Sequence, residues 1–186
     1  MHNSALLLID IQNDYFPSFT ESKMSLPDMD NACAHAERLL SVARKKGTLV
    51  IHVKHVMSSD SAPFFQPDTP GAELHGSVSP SSGEKLIEKT RPNSFIGTDL
   101  ESFLRDGQVT RLTICGAMSQ MCIDATVRAA VDLGFKVTVA EDACAAADIV
   151  YNGLGVPYDK VHASIMAPLA ASYADVRKTS DCIGKL

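Results

Sequence analysis

The stretch LTICGAMSQMCIDATVRAAVDLG, residues 112–134, decides how the chain is read. Leu112, Thr113, Ile114 and Cys115 form a short apolar run of the kind found in a strand covered on both faces. Gly116, Ala117 and Met118 then mark a tight turn, and the spacing from about Gln120 to Leu133 predicts a helix. Cys122 falls in the first turn of that helix, facing backbone N–H groups with no intrahelical partner and the positive end of the helix dipole. Both favour thiolate over thiol, so the sequence sets a nucleophile where its charge is stabilised. A lone cysteine is ordinarily only a small core hydrophobe. What separates Cys122 from that class is its company elsewhere in the chain.

Upstream, SALLLI at 4–9 repeats the buried-strand pattern and ends in Asp10, which therefore sits at the carboxyl edge of a sheet, where open α/β folds hold their ligands. Residues 18–26 read as a mobile loop. Met29, Ala32, Cys33, Ala36, Leu39, Leu40 and Ala43 have helical spacing, with Gly47 as the stop. A second strand, TLVIHVKHV at 48–56, carries His52 and His55 on opposite faces, so they are poor joint ligands for one metal. One reads as a core histidine, and the other, nearer the strand end, as a pocket residue. The long segment 57–83 reads as a lid, binding loop or interface, anchored by Phe64 and Phe65, with His75 an exposed loop histidine.

Leu86 and Ile87 form a brief third strand that ends on Lys89 much as the first ends on Asp10. A turn at 91–95 leads into a helix at 99–105. Beyond the central stretch, FKVTVA at 135–140 is a further strand, 143–157 has no clear pattern, 158–171 has helical spacing that Pro168 should kink or shorten, and 173–177 is a last short strand. Alternating strands and helices predict a parallel sheet with helices on both faces and right-handed crossovers.

The 186 residues, 45% of them hydrophobic, fit one compact domain over 1–186. A formal charge of −5 argues against a nucleic-acid or anionic-membrane surface. Five cysteines, odd in number and without metal-ligand spacing, argue against a disulfide framework and for a reducing cytoplasm. The apolar start lacks a basic leader and is too short for a signal peptide or membrane span. The expectation is a soluble cytoplasmic protein.

Asp10, Lys89 and Cys122 each follow an apolar strand, so the fold can bring all three to one sheet edge. A carboxylate, an ammonium and a thiol suffice for nucleophilic acyl transfer: the ammonium and helix terminus hold the thiolate, and Asp10 takes the thiol proton and passes it to the leaving group. Backbone N–H groups of the turn before Cys122 then face the oxyanion.

LLLIDIQNDY, EKTRPNSFIGTDL, GAMSQMCIDATVRAA and VTVAEDACAA together resemble the isochorismatase-like cysteine hydrolases over nearly the whole chain. The resemblance implies a three-layer α/β/α fold with a six-stranded parallel sheet in order 3-2-1-4-5-6 and an Asp10–Lys89–Cys122 triad. It also implies an oxyanion hole from the N–H groups of Met118 and Cys122, a cis peptide between Ala117 and Met118, and a dimer or tetramer. Gln12, Tyr15, Phe16, His55, Phe65 and Met118 are the expected walls of a small-molecule substrate pocket. Metal-binding nicotinamidases of the family carry an Asp-x-His element after the second strand, where this chain has KHVMSSD, so neither a metal nor a cofactor is expected. Retention of Cys122 favours an amide-like C–N bond over the vinyl ether of isochorismate, the second enzymatic reading. A flavodoxin-type nucleotide or flavin module is disfavoured because the first strand runs into DIQNDYF and has no glycine-rich phosphate turn.

Overall fold

The computed structural model describes residues 3–59 and 61–186, so Asp60 of KHVMSSD and of the 57–83 loop lies outside the described residues. Strand β1 (Ser4–Ile9) is buried from Ala5 onward, as a central strand covered on both faces must be. Helix α1 (Met29–Lys46) buries the seven residues picked out by helical spacing. Leu39 and Leu40 are fully buried there, each contributing about 1.5–3 kcal/mol. Gly47 closes the helix in the left-handed region (φ 67°), its N–H donating to the carbonyls of Ala43 and Arg44.

Next come β2 (Leu49–His55), β3 (Lys85–Lys89), α2 (Leu100–Asp106), β4 (Arg111–Ala117), α3 (Asp124–Asp132) and β5 (Lys136–Ala145). A hairpin, β6 (Ile149–Tyr151) and β7 (Leu154–Val156), precedes α4 (Tyr158–Ser172), β8 (Asp175–Arg177) and α5 (Thr179–Cys182). The parallel sheet runs β3-β2-β1-β4-β5-β8. Its order in space is the expected one, with β8 as sixth strand because the hairpin takes two places in sequence. The hairpin occupies the stretch that showed no pattern and leaves Ile149, Val150, Tyr151 and Leu154 exposed. Helices α1 and α5 pack together on one face, α3 and α4 on the other, completing three layers. No helix among the described residues is long and apolar enough to cross a membrane.

Three local features differ from the sequence reading. Strand β5 does not stop at Ala140: its pairing with β4 jumps from Ile114–Val139 to Gly116–Cys144, so the intervening residues bulge and the strand resumes to Ala145. Pro168 lies inside α4 without shortening it, since the helix continues to Ser172. Residues 18–26 are tied back by the N–H groups of Met24 and Leu26, which donate to the carbonyls of Asp14 and Tyr15.

The edge strand β3 delivers Lys89, and Glu84 just ahead of it fastens that strand to its neighbours. Arg44 donates to both Glu84 oxygens at 2.8 and 2.9 Å, and Glu84 Oε2 lies 2.9 Å from His52 Nε2. His52 is thus the core histidine of the pair, fully buried. The Arg44 hydrogen bonds, against the opposing effect of burial, hold the Glu84 carboxyl at about 2, below its ordinary 4.5. A carboxyl depressed on folding stabilises fully above its unfolded value and loses that contribution as pH falls through the folded one. Stability is therefore expected to drop between about pH 4.5 and about pH 2. Glu84→Gln should flatten that drop, as read from urea midpoints at neutral pH and at about pH 3.

Candidate active site

Strands β1 and β4 are neighbours, yet β1 connects outward to β2 on its other side, so the carboxyl ends of β1 and β4 flank the topological switch point. Ile9 pairs with Gly116 there, immediately before Asp10 and the turn that carries Cys122. Asp10 adopts φ 53°, a left-handed conformation that aspartate tolerates better than most residues. Its N–H donates to the Val53 carbonyl, locking it to β2.

Lys89 Nζ lies 2.8 Å from Asp10 Oδ2, and both side chains are fully buried. The same ammonium donates to the carbonyls of Arg91 and Pro92, each at 3.1 Å, beside its ion pair with Asp10. Burial alone would lower the Lys89 value, but the Asp10 charge beside it raises it overall. Asp10 has no aligned hydrogen-bond donor on either oxygen, and Oδ2 has only this close ion-pair contact. That leaves a buried carboxylate with accepting capacity unused.

Cys122 reaches the same point and is 3% exposed. It does not lie in the first turn of an ordinary helix, because residues Ser119–Ile123 form a π-helical turn ahead of α3. Nor is its thiol biased toward thiolate. Burial first, and then the charge of Asp10, push it well above the ordinary thiol range, against the opposing pull of Lys89. The local helix-end argument loses to the desolvation of a sulfur packed beside a carboxylate. The Ala117–Met118 peptide is cis. Among the described residues, no acceptor takes the Met118 N–H. Ser119 steadies the turn, its hydroxyl bonding to the Ala145 carbonyl at 3.1 Å and lying 2.9 Å from His162 Nδ1.

His55, the other histidine of β2, faces the cluster. Its Nδ1 lies 3.4 Å from Lys89 Nζ, 3.9 Å from Asp10 Oδ2 and 3.9 Å from Cys122 Sγ. Burial and then the Lys89 charge lower its value, so the ring is neutral, and its buried Nε2 has no hydrogen-bond partner. The donor atoms of Asp10, His55 and Cys122 all lie within 4.8 Å of one another, a set able to hold a metal ion.

The other expected pocket residues divide. The rings of Tyr15 and Phe65 meet at a tilt of 58° with centroids 4.6 Å apart, and Phe65 lies 6.2 Å from the His55 ring. The Tyr15 phenol is raised, by burial first and with the Asp10 charge adding to it, so it stays protonated. Met118 is 8% exposed and joins Cys122 through the turn. Phe16 turns toward α1 instead, its ring stacked on His75 at 3.9 Å, and His75 Nδ1 is 3.8 Å from Cys33 Sγ of that helix. Gln12 spends its amide on the backbone: Nε2 donates to the carbonyls of His55 and Ala72 at 2.8 and 2.7 Å, and Oε1 accepts from the His55 N–H at 2.8 Å. It positions His55, with both of its N–H groups committed to backbone carbonyls.

Asp14 was not picked out from sequence. Its carboxylate accepts the N–H groups of Phe65 at 2.7 Å and Lys23 at 3.1 Å, holding both long loops beside the site. Ser119 and His162 were also missed. The one local signal for Asp14 is a charge between Ile11 and Tyr15, both buried.

A carboxylate, an ammonium and a thiol thus gather at the switch point of a three-layer α/β/α fold. Residues 4–156 match the Isochorismatase domain family. The isochorismatase family protein YddQ of Bacillus subtilis is 47% identical over 176 residues, covering 95% of this chain and 96% of YddQ. A streptothricin hydrolase of Streptomyces noursei is 37% identical over 145 residues, 78% of this chain, which spans only 55% of that enzyme's length. Among solved structures, an isochorismatase-family structure from Oleispira antarctica superposes with a TM-score of 0.95 at 44% identity, covering 98% of this chain and 97% of that one. The chain belongs to the isochorismatase family, and its class is that of an isochorismatase-family hydrolase.

Proposed function

We propose that the protein hydrolyses a small amide-like C–N bond through a thioester on Cys122. The observation that carries this reading is the buried Asp10–Lys89 pair at 2.8 Å with the Cys122 thiol beside it. A thiol that holds its proton needs a base at hand, and Asp10 has unused accepting capacity. Asp10 takes the thiol proton as sulfur attacks the carbonyl carbon, and Lys89 stabilises the negative charge moving between them. The N–H groups of Met118 and Cys122 receive the oxyanion. Collapse breaks the C–N bond, and the leaving amine takes the proton from Asp10. Water then gives a proton to Asp10 as it attacks the thioester, and the carboxylic acid and the thiol are released. Tyr15, Phe65, Met118 and the neutral His55 line the acyl side, which favours a compact substrate with an apolar body and a hydrogen-bond acceptor. A hydrolase among the relatives agrees with this chemistry.

The test is a screen of small amides, carbamoyl compounds and lactams for ammonia or amine release, followed by intact-mass measurement after rapid acid quench. A mass increase equal to the acyl group and mapped to Cys122 is the expected result. Pyruvate release from isochorismate, undiminished in Cys122→Ala and with no amide turned over, would replace this reading with vinyl-ether hydrolysis.

A further inference from the structure

The same cluster has a second chemical capacity. Asp10, His55 and Cys122 offer oxygen, nitrogen and sulfur, all buried, with Nδ1 3.9 Å from both Sγ and Oδ2. Ligands at about 2.0–2.3 Å from a tetrahedral zinc ion stand about 3.3–3.6 Å apart. The two sides that meet at His55 Nδ1 therefore need to close by about half an ångström, and the third, between Cys122 Sγ and the Asp10 carboxylate, lies within 4.8 Å. Asp10 is fully buried with no aligned donor on either oxygen, an independent sign of unused ligating capacity. A mixed thiolate, imidazole and carboxylate set suits a borderline-soft divalent ion and not calcium or magnesium, which take oxygen ligands.

We infer that Asp10, His55 and Cys122 form a reversible Zn2+ site in which water completes the coordination and the metal blocks Cys122. On binding, the S–H bond breaks, a Zn–S bond forms and the proton leaves to the buffer. No electron changes hands. The coordination rests on geometry alone, whereas inhibition rests on the reading of Cys122 as the nucleophile. Lys89 is the built-in competitor: its ammonium lies 2.8 Å from Oδ2 and 3.4 Å from Nδ1, against two of the three ligands. The chain also contains an internal control. Cys33 and His75 stand 3.8 Å apart, yet no third ligand joins them among the described residues.

Titration of the full chain with Co2+ is expected to give a saturable thiolate-to-cobalt charge-transfer band at one ion per chain. Cys122→Ala should abolish that band, and Cys33→Ser should keep both the band and the basal hydrolysis. Competition against a chromogenic chelator should show Zn2+ binding weakened in His55→Ala by more than the about 10- to 100-fold typical of losing an outer-shell partner. Lys89→Met, which removes the competing cation, should bind Zn2+ more tightly, a gain that misfolding cannot mimic. A band that survives Cys122→Ala, a band lost in Cys33→Ser, or weaker binding in Lys89→Met overturns the site. Saturating Zn2+ that leaves hydrolysis unchanged overturns the inhibition and Cys122 as nucleophile, while the coordination stands. Absence of metal binding combined with loss of hydrolysis in Cys122→Ala overturns the metal site alone.

Discussion

Cys122→Ala is expected to lower kcat/KM by about a thousandfold or more on any amide that the wild-type chain hydrolyses. The reason is positional. Among the five buried cysteines, Cys122 is the one whose sulfur lies with both members of the Asp10–Lys89 pair. With sulfur gone, the proposed acyl intermediate cannot form, and only the proposed oxyanion donors are left to favour direct attack by water. The variant should fold as the parent does, because truncation at a 3%-exposed position beside a polar cluster removes one small side chain and no hydrogen bond on which the backbone depends. Asp10→Asn should be nearly as damaging, since the amide cannot accept the thiol proton and leaves Lys89 without its counter-charge. Steady-state kinetics with circular dichroism on the same samples decides the matter. A Cys122→Ala enzyme within tenfold of the parent would end the proposal of nucleophilic catalysis.

What the sequence discloses and what it conceals follow from the range of the interactions involved. The run from Ala5 to Ile9 is legible because full burial leaves a continuous apolar string, and α1 because one face repeats at helical spacing. The meeting of Asp10, Lys89 and Cys122 comes through because Lys89 ends a strand and Asp10 and Cys122 follow one, whereas the strand order comes from the family resemblance. The bulge in β5 and the hairpin after it do not. The first depends on register with β4, and the second is an exposed ribbon with no buried face to impose a pattern on its residues. Gln12 and Asp14 show the same limit in polar form. Their partners are backbone groups more than 40 residues away, apart from Lys23, and residue type alone cannot say which carbonyl or N–H a side chain will find. The thiolate expectation fails for a related reason: the helix terminus is local and visible, while the burial and the Asp10 charge that outweigh it are not.

Gly116 joins fold to chemistry most tightly, and Gly116→Ala is expected to lose about 3–5 kcal/mol of stability together with the activity of the fraction that still folds. The backbone there has φ 128°, and a Cβ would lie 1.9 Å from the Ile9 carbonyl oxygen and 2.8 Å from its carbon. Those atoms belong to a central strand paired on both sides, so they cannot retreat as a flexible side chain would. Admitting the methyl group means parting β1 from β4 one residue before Asp10, at the place where the turn to Cys122 departs. Gly134→Ala is the control. It too has a positive φ, 88°, but nothing lies within 4 Å of its Cβ, so only backbone strain of about 1–2 kcal/mol is expected. Urea midpoints for the two variants, with unchanged slopes, separate steric exclusion from conformational preference. Equal losses would mean that φ alone accounts for Gly116 and that the close approach of β1 and β4 does not hold the site together.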